Sequence, residues 1–294
     1  MNKHYLIVLN PLPNKQKKYW LNWLVTTLKQ QQHSYYIFTT SAVLADNQLF
    51  FKQHLAEYTE VVMLGGDGTL HLLANCMAYS NKPITVLPCG TGNDFMRNFA
   101  YSKQQLKQLV QSDRVMTIDL GKVNARYFIN SAGVGFDAEI VERTKGNKGW
   151  LARFSYLYHT LACLLFFEES LLSLQQQGKE THYKNFLTVF ANGKYFGGGM
   201  KIAPNAELNS SHLMRYSVEK THLAKKLWAL PKLYYGKHIS LTEVKEHAFT
   251  QLEVLTPNLP VQADGESAGY TPVVIEVAKS ALTIKIIEHH KKGA

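Results

Sequence analysis

Two short stretches bring together glycine, threonine and carboxylates at strand ends. The first is "VVMLGGDGTL", residues 61–70, where an apolar run stops in Gly65-Gly66-Asp67-Gly68-Thr69. Glycines let backbone N–H groups turn toward an anion without a Cβ in the way. A helix N-terminus behind them adds partial positive charge, so the turn is suited to phosphate. Thr69 can cap that helix or bind a phosphate oxygen. Asp67 beside phosphates calls for a cation between them, and magnesium meets that need. The plainer reading is a Gly-rich turn with Asp67 as a local cap. The second stretch is "LPCGTGNDFMRNF", residues 87–99. Gly90-Thr91-Gly92 is followed by Asn93-Asp94 at a helix start, and Arg97 stands one turn into that helix. An N-capping Asn or Asp with a solvated Arg explains this loop alone. It explains poorly why the same design occurs twice, on what would be adjacent strand ends facing one crevice.

The elements that must hold these loops are legible in the first 120 residues. Tyr5–Leu9, Tyr35–Phe38, Val61–Leu64 and Ile84–Leu87 are short apolar runs rich in β-branched and aromatic residues. Helical patterns lie between them: Trp20, Trp23, Leu24, Thr27 and Leu28, then Leu70, Leu73, Ala74 and Met77. Alternating strands and helices predict a doubly wound parallel sheet covered on both faces, with ligands beyond the strands' carboxyl ends. From about residue 123 the character becomes strand-like with glycine turns: "RYFINSAGVGFD", "KNFLTVFANGKYFGGG", "FTQLEVL" and "TPVVIEVAKSALTIKII". Helical patterns interrupt it at 150–169 and 222–235. The fold expected is α/β: an N-terminal doubly wound domain, then a β-rich domain with helical insertions.

Composition narrows the function classes. The chain has 294 residues, 46% of them hydrophobic, and a formal charge of +10. That suits phosphate-bearing ligands or an anionic membrane face, whereas nucleic-acid binding would rest on charge alone, without a Lys/Arg block. Cys76, Cys89 and Cys163 form no CxxC pair, which favours a reducing, cytoplasmic compartment. The start, "MNKHYLIVLN", reads as a first strand rather than a signal peptide. The most lipid-like segment, 150–167, contains Arg153 and His159 and falls short of the roughly 20 residues of a membrane span.

The pair "GGDGT" and "GTGNDFMR" resembles the catalytic domain of the diacylglycerol kinase family, specifically the bacterial soluble lipid kinases, within the NAD kinase-like superfamily. The likeness continues through "IDLGKVN" and "YFINSAGVGFDAEI", "VFANGKYFGGGMKIAPNAEL", "QADGES" and "TPVVIEVAKSALTIKI". It implies a nucleotide-binding α/β domain over 1–122, rejoined by 281–294, and a β-sandwich substrate domain over 123–280. It places the active cleft between them. It implies ATP and magnesium as cofactors. ATP contacts would come from Asn10, Thr40, Gly65, Gly66, Asp67, Gly68, Thr69, Thr91 and Asn93. Asp67, Asp94 and Asp119 would organise the metal and its waters, and the "DGE" element, Asp264-Gly265-Glu266, would carry the catalytic carboxylate. Were that element extended, Asp264 and Glu266 would share a face, one acting as base and the other as support. As residues alone, "ADGES" reads equally as a solvated β-turn.

Two departures from the family pattern stand out. The usual N-P-x-S/A-G loop is here Asn10-Pro11-Leu12-Pro13-Asn14. The acidic Asp-Asp-Gly that helps bind a structural magnesium is replaced by Asn209, Ser210 and Ser211. The resemblance therefore implies a degenerate structural metal site at Glu207, Ser210 and His212, weakened or absent.

The function expected from the resemblance is an ATP-dependent lipid kinase of phospholipid biosynthesis, transferring the γ-phosphoryl group to a lipid hydroxyl, with diacylglycerol giving phosphatidic acid. The alternatives are a kinase for another lipid alcohol or for NAD, and a catalytically weakened nucleotide- or membrane-binding regulator. The partners expected are ATP and a lipid at the inner membrane surface, with the protein cytoplasmic and peripheral. No nucleic acid is expected. Members of the family often form homodimers. Residues 222–238 interleave Lys225, Lys226, Lys232 and Lys237 with Leu227, Trp228, Leu230, Tyr234 and Tyr235, which suits an interfacial helix. Trp150, Phe154, Leu157, Leu161 and Leu165 form a second stripe. Packing on the second domain is the expectation for most of these apolar positions. No histidine pair has ligand spacing. His71 is expected to pack or cap.

Overall fold

The computed structural model describes residues 2–144, 170–219 and 221–287. The expected helix at 150–169, with its apolar stripe and Cys163, lies outside the described residues. The chain divides into two compact units, Met1–Ile118 with Ser280–Ala294, and Asp119–Lys279.

The first unit runs β1 (His4–Leu9), α1 (Lys15–Gln30), β2 (Ser34–Thr39), α2 (Leu44–His54), β3 (Glu60–Gly65), α3 (Asp67–Met77), β4 (Ile84–Pro88), a one-turn 3-10 helix at Phe95–Asn98, and α4 (Lys103–Gln111). The strands are parallel, in the order β2-β1-β3-β4. Every residue of β3 is buried, as a strand covered on both faces requires. β2, at the edge, has no buried position: only Tyr35 and Phe38 are half-buried. The helices cover the sheet through Trp20, Leu24 and Leu28 of α1 and Leu70, Leu73, Ala74 and Met77 of α3. The i, i+4, i+8 spacing of the first set keeps them on one face. Asn14 caps α1 by accepting from the Gln16 and Lys17 amides. A Ser102–Gln105 capping box starts α4.

Register levels the strand ends. Leu9 pairs with Thr39 and Leu64, and Gly65 pairs with Pro88. Asn10 and Thr40 therefore stand level with Gly65 and Pro88, and Gly66 and Cys89 follow one residue beyond. At Lys285 the returning segment is fixed by a fully buried ammonium, 2.7 Å from Glu60 Oε2 and 2.8 Å from the Val110 carbonyl. Lys3 bonds the other Glu60 oxygen at 2.5 Å. One carboxylate thus holds both ends of the chain's described first unit. A buried charge of this kind is tolerable only when paired.

β5 (Val115–Val123) leads into the second unit. There follow β6 (Arg126–Phe128), β7 (Ser131–Gly135), α5 (Phe136–Thr144), β8 (Ser170–Gln176), β9 (Lys179–Ala191), β10 (Leu213–Glu219), α6 (Leu223–Tyr234), β11 (Val244–Phe249), β12 (Gln251–Val254), β13 (Pro260–Ala263), β14 (Glu266–Tyr270) and β15 (Val273–Lys285). It is an antiparallel β-sandwich. The long strand β9 pairs with β8 along its first half and with β7 and β10 along its second. Phe128, Leu172, Leu174, Phe190, Leu213, Phe249, Val254 and Ile275 fill the core between the layers. A second cluster, Val189, Ile202, Met214 and Tyr216, lies on the opposite face of β9 and β10.

Two elements differ from the sequence reading. "GVGFD" was expected as strand, but the strand ends at Gly135, at φ +107, and α5 begins at Phe136. Gly133, Val134 and Gly135 mask a helix start that only Asp137 and Glu139 in the first turn announce. The apolar positions of 222–235 were expected mostly to pack. Instead α6 buries none of its residues fully, and Leu227, Trp228, Tyr234 and Tyr235 are exposed. Lys232 lies 3.2 Å over the Trp228 ring. No helix among the described residues is long and apolar enough to cross a membrane.

Candidate functional site

In the first unit the two glycine turns touch. A Cβ on Gly66 would lie 2.9 Å from the Gly90 Cα, and one on Gly90 would lie 2.6 Å from the Gly66 Cα. A Cβ on Gly65 would meet Thr69 Oγ1 at 2.5 Å. These three glycines are required by the protein's own packing. Gly68 is not: it is exposed, and a Cβ there meets nothing within 4 Å. It stands in the first turn of α3, where amides have no helical acceptor.

The carboxylates and amides of the two turns interlock. Asp67 Oδ1 accepts from the Phe95 amide at 3.2 Å, so it holds the second loop from the first. Asn93, at φ +50, folds its side chain back on Gly90, accepting from its N–H at 2.9 Å and donating to its carbonyl at 2.8 Å. Asn10 Nδ2 donates to Thr69 Oγ1 at 3.2 Å, and both Thr69 and Thr40 are buried. Thr91 is exposed. Asp94 is buried, 3.5 Å from Arg97 Nε. Arg97 was expected one turn into a helix. It lies within the single 3-10 turn, and its Nε donates to the Gly92 carbonyl at 3.2 Å. Burial pushes the Cys89 thiol up to about 11, so no thiolate nucleophile operates here near neutral pH. His71 is buried on α3, as a packed residue.

The sequence reading missed Lys17. Its ammonium bonds the Asn10 carbonyl at 2.6 Å, Asn10 Oδ1 at 2.7 Å and the Leu12 carbonyl. Asn14 Nδ2 reaches the Cys89 carbonyl at 2.8 Å. The Asn-Pro-Leu-Pro-Asn loop, lacking the family's glycine, is thus tied down by side chains. A lysine three residues past the loop carries no sequence signal of that role.

In the second unit, Asp264 and Gly265 form the two-residue turn between β13 and β14, with φ of +51 and +84. The expected shared face of Asp264 and Glu266 does not occur, because an Asp-Gly pair tolerates the left-handed backbone a tight hairpin demands. The two carboxylates differ sharply. Asp264 accepts three backbone N–H bonds, from Ile129 at 2.7 Å, Asn130 at 2.8 Å and Ser131 at 3.1 Å. Glu266 is exposed, and its carboxylate makes no hydrogen bond or ion pair with the described residues. Behind the turn, Gly265 N donates to the buried Gln262, which donates to Asp137 at 2.8 Å. Gly133 makes room for that carboxylate: a Cβ there would sit 1.9 Å from Asp137 Oδ2. Asn130 Oδ1, Ser131 Oγ and Asn192 Oδ1 are buried without a hydrogen-bond partner among the described residues. These oxygens suit ordered water or a cation's hydration shell.

Asp119 is buried and accepts from the Ser211 amide at 2.6 Å. The loop it fastens is closed on itself. Ser210 Oγ lies 3.0 Å from the carbonyl oxygens of both Glu207 and His212, and His212 Nδ1 lies 2.9 Å from the Ser210 carbonyl. A hydroxyl sits where a cation would bridge those carbonyls, so these residues do not fit magnesium. No group of three or more His, Cys, Asp or Glu side chains suited to a metal occurs among the described residues.

Residues 4–123 match the diacylglycerol kinase catalytic domain, and residues 130–286 match the YegS C-terminal NAD kinase beta sandwich-like domain. A diacylglycerol kinase of Mycobacterium tuberculosis is 29% identical over 240 residues, 78% of each chain. One of Staphylococcus carnosus is 26% identical over 280 residues, 92% of this chain and 91% of that one. A crystal structure of a diacylglycerol kinase from Bacillus anthracis superposes with a TM-score of 0.75 at 20% identity, covering 97% of both chains, which shows the shared fold. An α/β unit with paired glycine turns and a sandwich of this kind define a kinase that transfers phosphate to a lipid alcohol. The chain belongs to the bacterial diacylglycerol kinase-like lipid kinase family.

Proposed function

We propose that this kinase transfers the γ-phosphoryl group of ATP to the hydroxyl of diacylglycerol, giving phosphatidic acid. The observation that carries the reading is the contact of the two glycine turns, Gly66 against Gly90, at the carboxyl ends of adjacent parallel strands. Gly65 to Thr69, with Asn10, Thr40, Thr91 and Asn93, would bind the nucleotide. Magnesium bound with ATP supplies charge neutralisation on the phosphates. Asp67, Asp94 and Asp119 are the residues assigned to its water shell.

Glu266 is the proposed base and Asp264 its positioning residue. Glu266 takes the proton of the lipid hydroxyl. That oxygen bonds to the γ-phosphorus while the bond to the β–γ bridging oxygen breaks, and ADP leaves. Asp264 is committed to three amides and fixes the turn that presents Glu266. The loop 207–212 is read as holding its shape without a metal.

The +10 charge and the exposed aromatic and basic face of α6 support a peripheral, cytoplasmic protein working at an anionic leaflet. The test of the reaction is transfer of labelled γ-phosphate from ATP to a lipid panel in mixed micelles. Labelled phosphatidic acid is the expected product. Label on another lipid alcohol would move the substrate, and label on NAD would overturn the lipid assignment. ATP binding with no transfer to any acceptor would favour a regulatory homologue.

A further inference from the structure

Arg215 lies mid-way along β10, paired with Phe190 of β9 and His247 of β11. Strand alternation puts Leu213, Arg215 and Ser217 on one face. Leu213 belongs to the sandwich core, and two residues further on the same face opens into a pocket of about 810 Å³. Arg215 is only 7% exposed, and its guanidinium makes no hydrogen bond or ion pair with the described residues. Its Nε is enclosed without an acceptor. A guanidinium keeps its proton, so it cannot escape burial by neutralising. An uncompensated buried charge is strongly unfavourable and calls for an anion.

The described residues do not supply one. Of the acidic residues lining the pocket, Glu219 is engaged by Lys245 and Glu180 lies 3.3 Å from His182. The remaining polar groups are uncharged or cationic. Lys179, Lys245 and His247 line the walls, and the Ser217 hydroxyl is 2.9 Å from the Tyr183 hydroxyl, itself 2.8 Å from Thr188. Burial, and then the charges of Arg215 and Lys245, hold the His247 imidazole below its ordinary range, as a cationic enclosure would.

We propose that this pocket is a binding site for the phosphate group of an anionic ligand, held by the Arg215 fork with Ser217 and Lys179. Arginine offers paired donors matched to phosphate oxygens, and lysines add point charge. The cavity is within the range of about 300–1,000 Å³ typical of small-molecule sites, so the ligand extends beyond phosphate itself. The pocket lies wholly in the second unit, whereas the glycine turns belong to the first.

The test is an NMR titration of the full chain, reading the Arg215 Nε–H and the backbone amides of Ser217 and Lys245. Inorganic phosphate is the soluble probe; phosphatidic acid micelles, against phosphatidylcholine micelles, are the lipid probe. The expected result is saturable movement of these signals, with affinity about tenfold weaker in Arg215→Gln and partly restored in Arg215→Lys. Response to phosphate points to a soluble phosphoester, and response to phosphatidic acid alone points to a lipid headgroup. Signals that move with neither probe overturn the site, as does equal affinity in a folded Arg215→Gln. If that variant does not fold, the wild-type titration alone decides.

Discussion

Asp264 and Glu266 stand two residues apart in one short motif, yet their surroundings assign them different work. Three amide bonds to Asp264 make its substitution a structural event. Asp264→Asn should lower stability by about 1–3 kcal/mol, since one oxygen becomes a donor facing N–H groups. Glu266→Gln should leave the melting temperature nearly unchanged and lower kcat by about 10²–10⁴-fold. Full activity in Glu266→Gln would remove it as the base. The glycines separate in the same way. Gly90→Ala forces a Cβ within 2.6 Å of the Gly66 backbone and should destabilise the first unit as well as weaken ATP binding. Gly68→Ala has open space around it and should keep the stability while raising KM for ATP several-fold. An unchanged KM would mean no ligand approaches that amide closely.

At the scale of elements, the β7–α5 corner carries a buried acid. Burial pushes the Asp137 carboxyl up to about 6 from an ordinary 3.8, against the lowering effect of Gln262 and the backbone amides at the helix start. Between those values the folded chain holds a proton that the unfolded chain has released. Its contribution to stability is therefore present at low pH and lost as pH rises through that window. The loss is on the order of 3 kcal/mol at neutral pH. Urea melts across the window should show a flatter pH slope in Asp137→Asn than in wild type, and identical slopes would contradict the burial. The 207–212 loop gives a second expectation. Ser210 bridges it by hydrogen bonds, so chelating divalent cations should not shift the melting temperature of the nucleotide-free protein. A fall on chelation, reversed by magnesium, would restore a metal to that loop.

At the scale of the whole molecule, +10 of charge and an exposed apolar helix act together. Lys225, Lys226 and Lys232 flank Trp228, which is 59% exposed. Replacing the three lysines with glutamine should weaken sedimentation with anionic vesicles by about 1 kcal/mol for each charge, less at high salt. Binding that ignores these substitutions would detach α6 from the membrane role.

The amino-acid sequence by itself determined the alternation of strands and helices in the first unit, because hydrophobic period and turn chemistry are local properties. Val61–Leu64 reads as a buried strand, and Gly65-Gly66 as its turn, without knowledge of any neighbour. The lipid kinase family was legible for the same reason, since its motifs are contiguous. Only the tertiary structure decided what each motif residue touches. That Gly66 lies against Gly90 depends on parallel register across two strands. That Asp264 is spent on the 129–131 amides depends on β13 pairing with β7, more than 120 residues away in the chain. Arg215 reads in the sequence as one basic residue in a strand. Its burial without a counterion among the described residues follows from which strands pack around it, a long-range outcome that no local pattern encodes.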